Sequence, residues 1–324
     1  MTMDDIIFRQ QGRLAIAILN RPAALNAQTA GMVAAFAAQL DMWEQNPAID
    51  RLLIRGAGDR AFCAGGDVRA LWARDGSMDF AAQMQFFDTE YELCYRLAQT
   101  RLETVAYMDG ITMGGGVGLS VFADHRLATP RTVWAMPEAQ IGFFPDIAAS
   151  YFFTRMDPAL GRYLALTGHR LSGADCLAVG IATGFVAAGQ GDALEAALEK
   201  TDDINDVLAD FKVMPEISSA PELIETLMPI HGLVLPDYLA ALGERSLLPP
   251  GLCRPSLSVI DAMLGIGARL SHRAAVDLDK RIVRHFLQNG TFREGVRARL
   301  VDKNGAPDWP DGLWESAKCL TYFI

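Results

Sequence analysis

The chain has 324 residues, is 51% hydrophobic, and carries 29 Lys and Arg against 39 Asp and Glu, a net charge of −10. That length supports one large domain or a domain with a helical appendage, and the acidic balance argues against a general nucleic-acid or anionic-membrane surface. Five widely spaced cysteines without a CxxC pair predict reduced thiols and a cytoplasmic location, and the acidic start MTMDDIIFRQQ has neither signal-peptide nor transit-peptide character.

Residues 5–19 read as two short strands around Gln11-Gly12, ended by Asn20-Arg21-Pro22. Met32, Val33, Phe36, Leu40 and Trp43 then recur at helical spacing, and Asn46-Pro47 stops the pattern. Leu52-Leu53-Ile54 predicts a buried strand that runs into a glycine-bearing loop at 56–66, with a helical stretch starting near Val68 and a longer one around 79–99. A strand at 103–109, a helix from about 114, and strands near 126–129 and 133–136 follow. This alternation predicts an α/β architecture with mostly parallel, buried strands. The strand signal fades beyond about 190, where 192–200, 203–211, 221–228, 257–265 and 272–288 read as helices. The expected division is therefore a core over 1–200 and a mainly helical region over 201–324, packed on the core or on a neighbouring subunit.

The segment Gly110 to Asp146, GITMGGGVGLSVFADHRLATPRTVWAMPEAQIGFFPD, is the densest in chemistry. Gly114-Gly115-Gly116 leaves the main chain bare, so a substrate oxygen can approach peptide N–H groups. The loop Phe62-Cys63-Ala64-Gly65-Gly66-Asp67 is similar in style. It is open to two readings: a tight connection in which Asp67 caps a helix, or a second turn whose N–H converges with the first on one carbonyl oxygen. Glu138 lies among Trp134, Met136, Ile141, Phe143 and Phe144, so desolvation should raise its pKa toward proton-transfer range, although it could also simply start a helix. Asp146 could be a helix N-cap, an acid-base group, or both, and Glu90 could sit on a solvated helix face. There is no GxSxG, no GxGxxG and no GxxxxGK[ST], and histidines 125, 169, 231, 272 and 285 form no close ligand pair. No metal is implied.

These residues give the chain a family resemblance. Asn20-Arg21-Pro22 with Asn26-Ala27, Phe62–Asp67, Gly110–Gly118 and Met136-Pro137-Glu138 resemble the crotonase (enoyl-CoA hydratase/isomerase) superfamily. The stretches CAGGDVRAL (63–71), AMPEAQIGFFPD (135–146), YFFTR (151–155), LALTGHRLSGAD (164–175) and EGVRARLVDKNGAPDW (294–309) narrow the resemblance to its hydrolases of 3-hydroxyisobutyryl-CoA, the thioester formed in valine breakdown.

The resemblance implies a crotonase-like spiral of ββα units with a helical C-terminal region. It implies a short-chain acyl-CoA as substrate, with coenzyme A entering as part of that substrate and no separate cofactor. The oxyanion-hole N–H groups fall on Gly66 and Gly115, the acid-base glutamate on Glu138, the hydrolases' aspartate on Asp146 and an acyl-pocket glutamate on Glu90. In that scheme Asp146 would orient the attacking group, hold the substrate hydroxyl or assist departure of CoA. Hydratases carry a second glutamate where this chain has Gly118, and a glycine where it has Asp146, so the departure favours thioester hydrolysis over hydration. A hydratase or isomerase using Glu138 alone, and a non-catalytic acyl-CoA-binding protein, are the alternatives. Arg21 is the first candidate for the CoA phosphates, ahead of Arg69 and of Lys280, Arg281 and Arg284. Assembly into trimers or pairs of trimers is as open as a tail folded over its own site.

Overall fold

A computed structural model describes residues 4–69, 79–303, 305–310 and 312–314, together with 319 and 323. The strands are β1 (Ile6–Gln11), β2 (Leu14–Leu19), β3 (Arg51–Gly56), β4 (Ala61–Cys63), β5 (Glu103–Met108), β6 (Ile111–Met113), β7 (His125–Ala128), β8 (Val133–Ala135), β9 (Leu171–Ser172) and β10 (Gly184–Phe185). The helices through the middle of the chain are α1 (Ala30–Gln45), α2 (Phe80–Leu97), α3 (Gly115–Gly118), α4 (Ala149–Phe153), α5 (Pro158–Thr167) and α6 (Gly173–Ala178). After them come α7 (Gly191–Lys200), α8 (Ile204–Phe211), α9 (Ala220–Leu227), α10 (Leu235–Glu244), α11 (Arg254–Gly267), α12 (His272–Asn289) and α13 (Thr291–Val296).

The chain divides into two compact units, the first built from residues 1–67, 92–135 and 170–220, the second from 68–91, 136–169 and 221–324. In the first unit a six-stranded sheet runs β1-β2-β3-β5-β7-β10 and a four-stranded sheet runs β4-β6-β8-β9. Three successive strand pairs, β3/β4, β5/β6 and β7/β8, each contribute one strand to the large sheet and the next to the small one. That repetition is the spiral of ββα units. Pairing is parallel except at β1 with β2 and at β8 with β9.

Local chemistry explains these elements. Every residue of β2, LAIAIL, is buried, as a strand covered on both faces requires. Leu14, Ile16 and Ile18 join Leu53, Val105 and Leu127 in a cluster that Leu194 and Leu198 of α7 and Ile204 and Val207 of α8 complete. Helix α1 opens at Thr29, whose hydroxyl accepts the Met32 N–H at 3.2 Å, and it buries the five apolar residues that its spacing predicts.

Some expectations need adjustment. The helix predicted from about 114 is only four residues long, because Gly115, Gly116 and Gly118 offer no side chains for lateral packing. Val68 and Arg69 form a turn, and the rest of the helix predicted near Val68 falls on 70–78, outside the described residues. Strands β4, β6, β9 and β10 have two or three residues each and escape a reading by periodicity.

Candidate active site

In the first unit the two glycine turns lie side by side. Gly65 adopts φ +106°, and a Cβ placed there would stand 3.4 Å from the Gly115 nitrogen and 3.2 Å from the Met113 carbonyl oxygen. Gly114 has φ 50° and ψ −124°, a conformation open essentially to glycine alone. A Cβ on Gly116 would collide with the Cys63 carbonyl oxygen, so this turn presses directly on the strand that carries the other one. Among the described residues, neither the Gly66 nor the Gly115 N–H donates a backbone hydrogen bond, while the flanking groups are used: Gln28 N–H donates to Gly65 O at 2.9 Å and Asp67 N–H to Gln28 O at 2.8 Å. Two adjacent N–H groups without internal acceptors can serve a developing oxyanion. Arg21 supports this loop. Its guanidinium donates to Asp67 at 2.9 Å and to the Ala27 carbonyl at 2.6 Å.

The second unit holds a cluster of buried carboxyls. Glu90 of α2 is 2% exposed, Glu138 7%, Asp146 5% and Asp279 of α12 0%. Glu138 opens a 3-10 turn, Glu138–Ile141, with Pro137 before it, so the helix-start reading and the buried-acid reading both hold. Its Oε2 is enclosed with no hydrogen-bond partner among the described residues. Asp146 follows the turn and accepts a buried hydrogen bond of 2.8 Å from the Tyr91 hydroxyl. Its side chain does not cap α4. That N-cap position is Ala148, whose N–H donates to Asp279 Oδ2 at 2.6 Å.

The segments that carry the carboxyls also carry packed aromatic rings. Phe87 stacks on Phe143 at 5.4 Å, Phe143 meets Phe292 at 4.5 Å and Phe144 stacks on Phe286 at 5.2 Å. Low polarity and exclusion of water disfavour ionised carboxylates here. Burial, then the charge of Asp146, drives Glu90 well above the usual carboxylate range. Burial, then Asp146 and Glu90, does the same for Glu138. Burial also lifts Asp146 to about 7, opposed by the Tyr91 hydrogen bond. Buried carboxyls with raised pKa values, placed together, are the kind of group that acid-base chemistry uses.

The structure thus groups Glu90, Glu138 and Asp146 in one unit and Gly66, Gly115 and Arg21 in the other. Arg69 is exposed, as are Arg281 and Arg284 on α12, and Lys280 is half-buried. Sequence reading overlooked Tyr91 and Asp279. The second left a trace: Ala275, Val276, Leu278, Ile282, Val283 and Phe286 form the apolar stripe of α12, and a carboxylate sits within it.

The family model described as enoyl-CoA hydratase/isomerase matches residues 14–245 and 250–318. The chain is 36% identical over 331 residues to a protein of Gallus gallus named 3-hydroxyisobutyryl-CoA hydrolase, mitochondrial, covering 96% of this chain and 86% of that one. It is 33% identical over 332 residues to the Homo sapiens protein of that name, covering 94% and 84%. Two solved structures superpose with a TM-score of 0.91: a carnitinyl-CoA dehydratase from Mycobacterium thermoresistibile (31% identity, 99% of this chain and 97% of that one) and an enoyl-CoA hydratase from Rhodobacter sphaeroides (30%, with the same coverage). The mitochondrial relatives correct the expected cytoplasmic location: the number and spacing of cysteines carry no organelle address. With a family model over most of its length and relatives above 30% identity along nearly all of it, the chain belongs to the enoyl-CoA hydratase/isomerase, or crotonase, family.

Proposed function

We propose that this chain hydrolyses a short β-hydroxyacyl-CoA thioester, 3-hydroxyisobutyryl-CoA, to 3-hydroxyisobutyrate and CoA. The observation that carries this reading is the pairing of carboxyls. Glu138 and Asp146 are both buried and both hold their protons unusually tightly, whereas position 118 is a buried helical glycine from which no second hydratase-type carboxylate can issue. Relatives bearing the hydrolase name along nearly the whole chain support it.

In this reading the Gly66 and Gly115 N–H groups accept the charge that grows on the thioester oxygen, and loss of a comparable donor lowers rate about 100- to 1000-fold. Glu138, once ionised, either attacks the carbonyl carbon to form a mixed anhydride or takes a proton from water as that water attacks. On either route the C–S bond breaks as the tetrahedral adduct collapses and releases the thiolate, and on the first route water then hydrolyses the anhydride to free the acid and regenerate Glu138. A carboxyl whose pKa is about 7 can pass its proton to the departing thiolate, which is the role proposed for Asp146. Glu90 would face the acyl group, and Arg21, beyond its bonds to Asp67 and the Ala27 carbonyl, would present its remaining donors to the CoA phosphates.

A second reading, hydration of an enoyl-CoA by Glu138 alone, draws on the two superposing structures, an enoyl-CoA hydratase and a carnitinyl-CoA dehydratase. A thiol assay over a panel of hydroxyacyl- and enoyl-CoAs decides: free CoA from a saturated hydroxyacyl-CoA supports hydrolysis, and loss of enoyl absorbance without thiol refutes it. A single turnover in 18O-labelled water separates the two hydrolytic routes, because only the anhydride route can leave label in Glu138.

A further inference from the structure

Asp279 has no part in the chemistry assigned so far, yet it is fully buried on the apolar face of α12. One oxygen, Oδ2, accepts the Ala148 N–H at 2.6 Å, and the other has no hydrogen-bond partner among the described residues. The segment it holds is unusual. Ile147 and Ala148 both adopt left-handed backbone conformations, φ 55° and φ 58°, although both carry a Cβ and Ile147 is β-branched. Such residues persist there only where the surroundings over-determine them.

We propose that Asp279 is a positioning residue for Asp146, tethering the strained Ile147-Ala148 turn so that the Asp146 carboxyl meets the Tyr91 hydroxyl. The inference rests on the hydrolase reading for its kinetic consequence. The tether is specific. Asp146 is fixed at its side chain by Tyr91, and its carbonyl accepts the Ala149 N–H at 3.0 Å; between those anchors, the Ala148 N–H is, among the described residues, the group that hydrogen-bonds the turn to α12. Phe286, two turns further along the same helix face, stacks on Phe144 just before Asp146, which keeps α12 in register with the turn. Without the Asp279 acceptor the two residues can relax to ordinary backbone and carry the neighbouring carboxyl with them. Displacement of a reacting group by about 1 Å is enough for a rate loss on the order of 100-fold.

The test uses the full chain with Asp279→Leu, which removes the acceptor while filling the space, and Asp279→Asn, which keeps a carbonyl acceptor for Ala148. Asp279→Leu is expected to lower kcat at least about tenfold with KM changed less than about threefold, and Asp279→Asn to recover most of that loss. Ala148→Gly added to Asp279→Leu should restore part of the rate, since glycine needs no tether to hold a positive φ. Crystal structures of both single variants supply a readout independent of turnover. The Tyr91–Asp146 hydrogen bond should be broken in Asp279→Leu and kept in Asp279→Asn. An intact bond in Asp279→Leu, or equal kinetic loss in the two variants, overturns the proposal. If the unsubstituted chain releases no CoA, the hydrolase reading falls, and the crystallographic comparison alone decides the role of Asp279.

Discussion

Replacing Asp146 by Asn should stabilise the protein at alkaline pH while removing its activity. Asp146 is 5% exposed, and burial lifts its pKa from the ordinary 3.8 to about 7. Because the folded state binds this proton more tightly than the unfolded chain, the stability associated with it is fully present below about pH 4 and is lost as pH rises through 7. A rise from 3.8 to about 7 corresponds to about 4 kcal/mol, which is the ceiling on what the buried charge removes above pH 7. Asn has nearly the same shape and can still accept from the Tyr91 hydroxyl, so it relieves the charge without opening a cavity. Urea unfolding of both proteins from pH 4 to 9 should show no gap at the acid end. The gap should widen in favour of the Asp146→Asn variant up to pH 7 and stay flat above it, at about 2–4 kcal/mol. Equal stability at pH 8.5, or a gap largest at pH 4, would refute the placement of Asp146 as a buried, proton-holding carboxyl. The same variant should lose CoA release by about 100-fold or more, the usual scale for general acid-base groups.

Other consequences can be measured separately. Glu138→Gln should abolish CoA release and keep acyl-CoA binding by calorimetry; full turnover in that variant would end the assignment of Glu138. Tyr91→Phe removes the hydrogen bond that favours ionised Asp146, so if Asp146 is the proton donor, the decline in kcat as pH rises through about 7 should move upward by about one pH unit. A pH profile unchanged in Tyr91→Phe would exclude that donor role. Gly116→Ala drives a methyl into the Cys63 carbonyl and should destabilise the fold by about 1–3 kcal/mol with a fall in kcat, as read by thermal melts and the thiol assay. Gly12→Ala is the control: φ is +56° there, but among the described residues a Cβ added at that position meets nothing within 4 Å beyond its chain neighbours, so about 1 kcal/mol and wild-type kcat are expected.

How far the site could be read from the chain depended on the kind of signal each residue left. Glu138 was legible because five apolar neighbours in its own segment foretold desolvation, and burial is indeed the leading cause of its raised pKa. Gly114 and Gly65 were legible because unusual backbone leaves glycine as its trace, and both show positive φ. Ile147 and Ala148 left no such trace. Two residues with ordinary side chains occupy left-handed conformations because a carboxylate 131 residues further along accepts the Ala148 N–H, and no local rule contains that contact. Tyr91 was hidden for a related reason: 79–99 reads as a helix, but which side-chain hydroxyl reaches Asp146, 55 residues away, depends on how that helix is turned.

By itself, then, the sequence determined the alternation of strands and helices, the family pattern from Gly110 to Asp146, and the absence of a carboxylate at Gly118. These are properties of side-chain type and near-neighbour spacing. Tertiary structure decided the protonation and placement of the acids. A carboxyl takes a pKa of about 7 only when segments distant in sequence bury it away from water, and the turn beside it meets its acceptor, Asp279, only because α12 packs there.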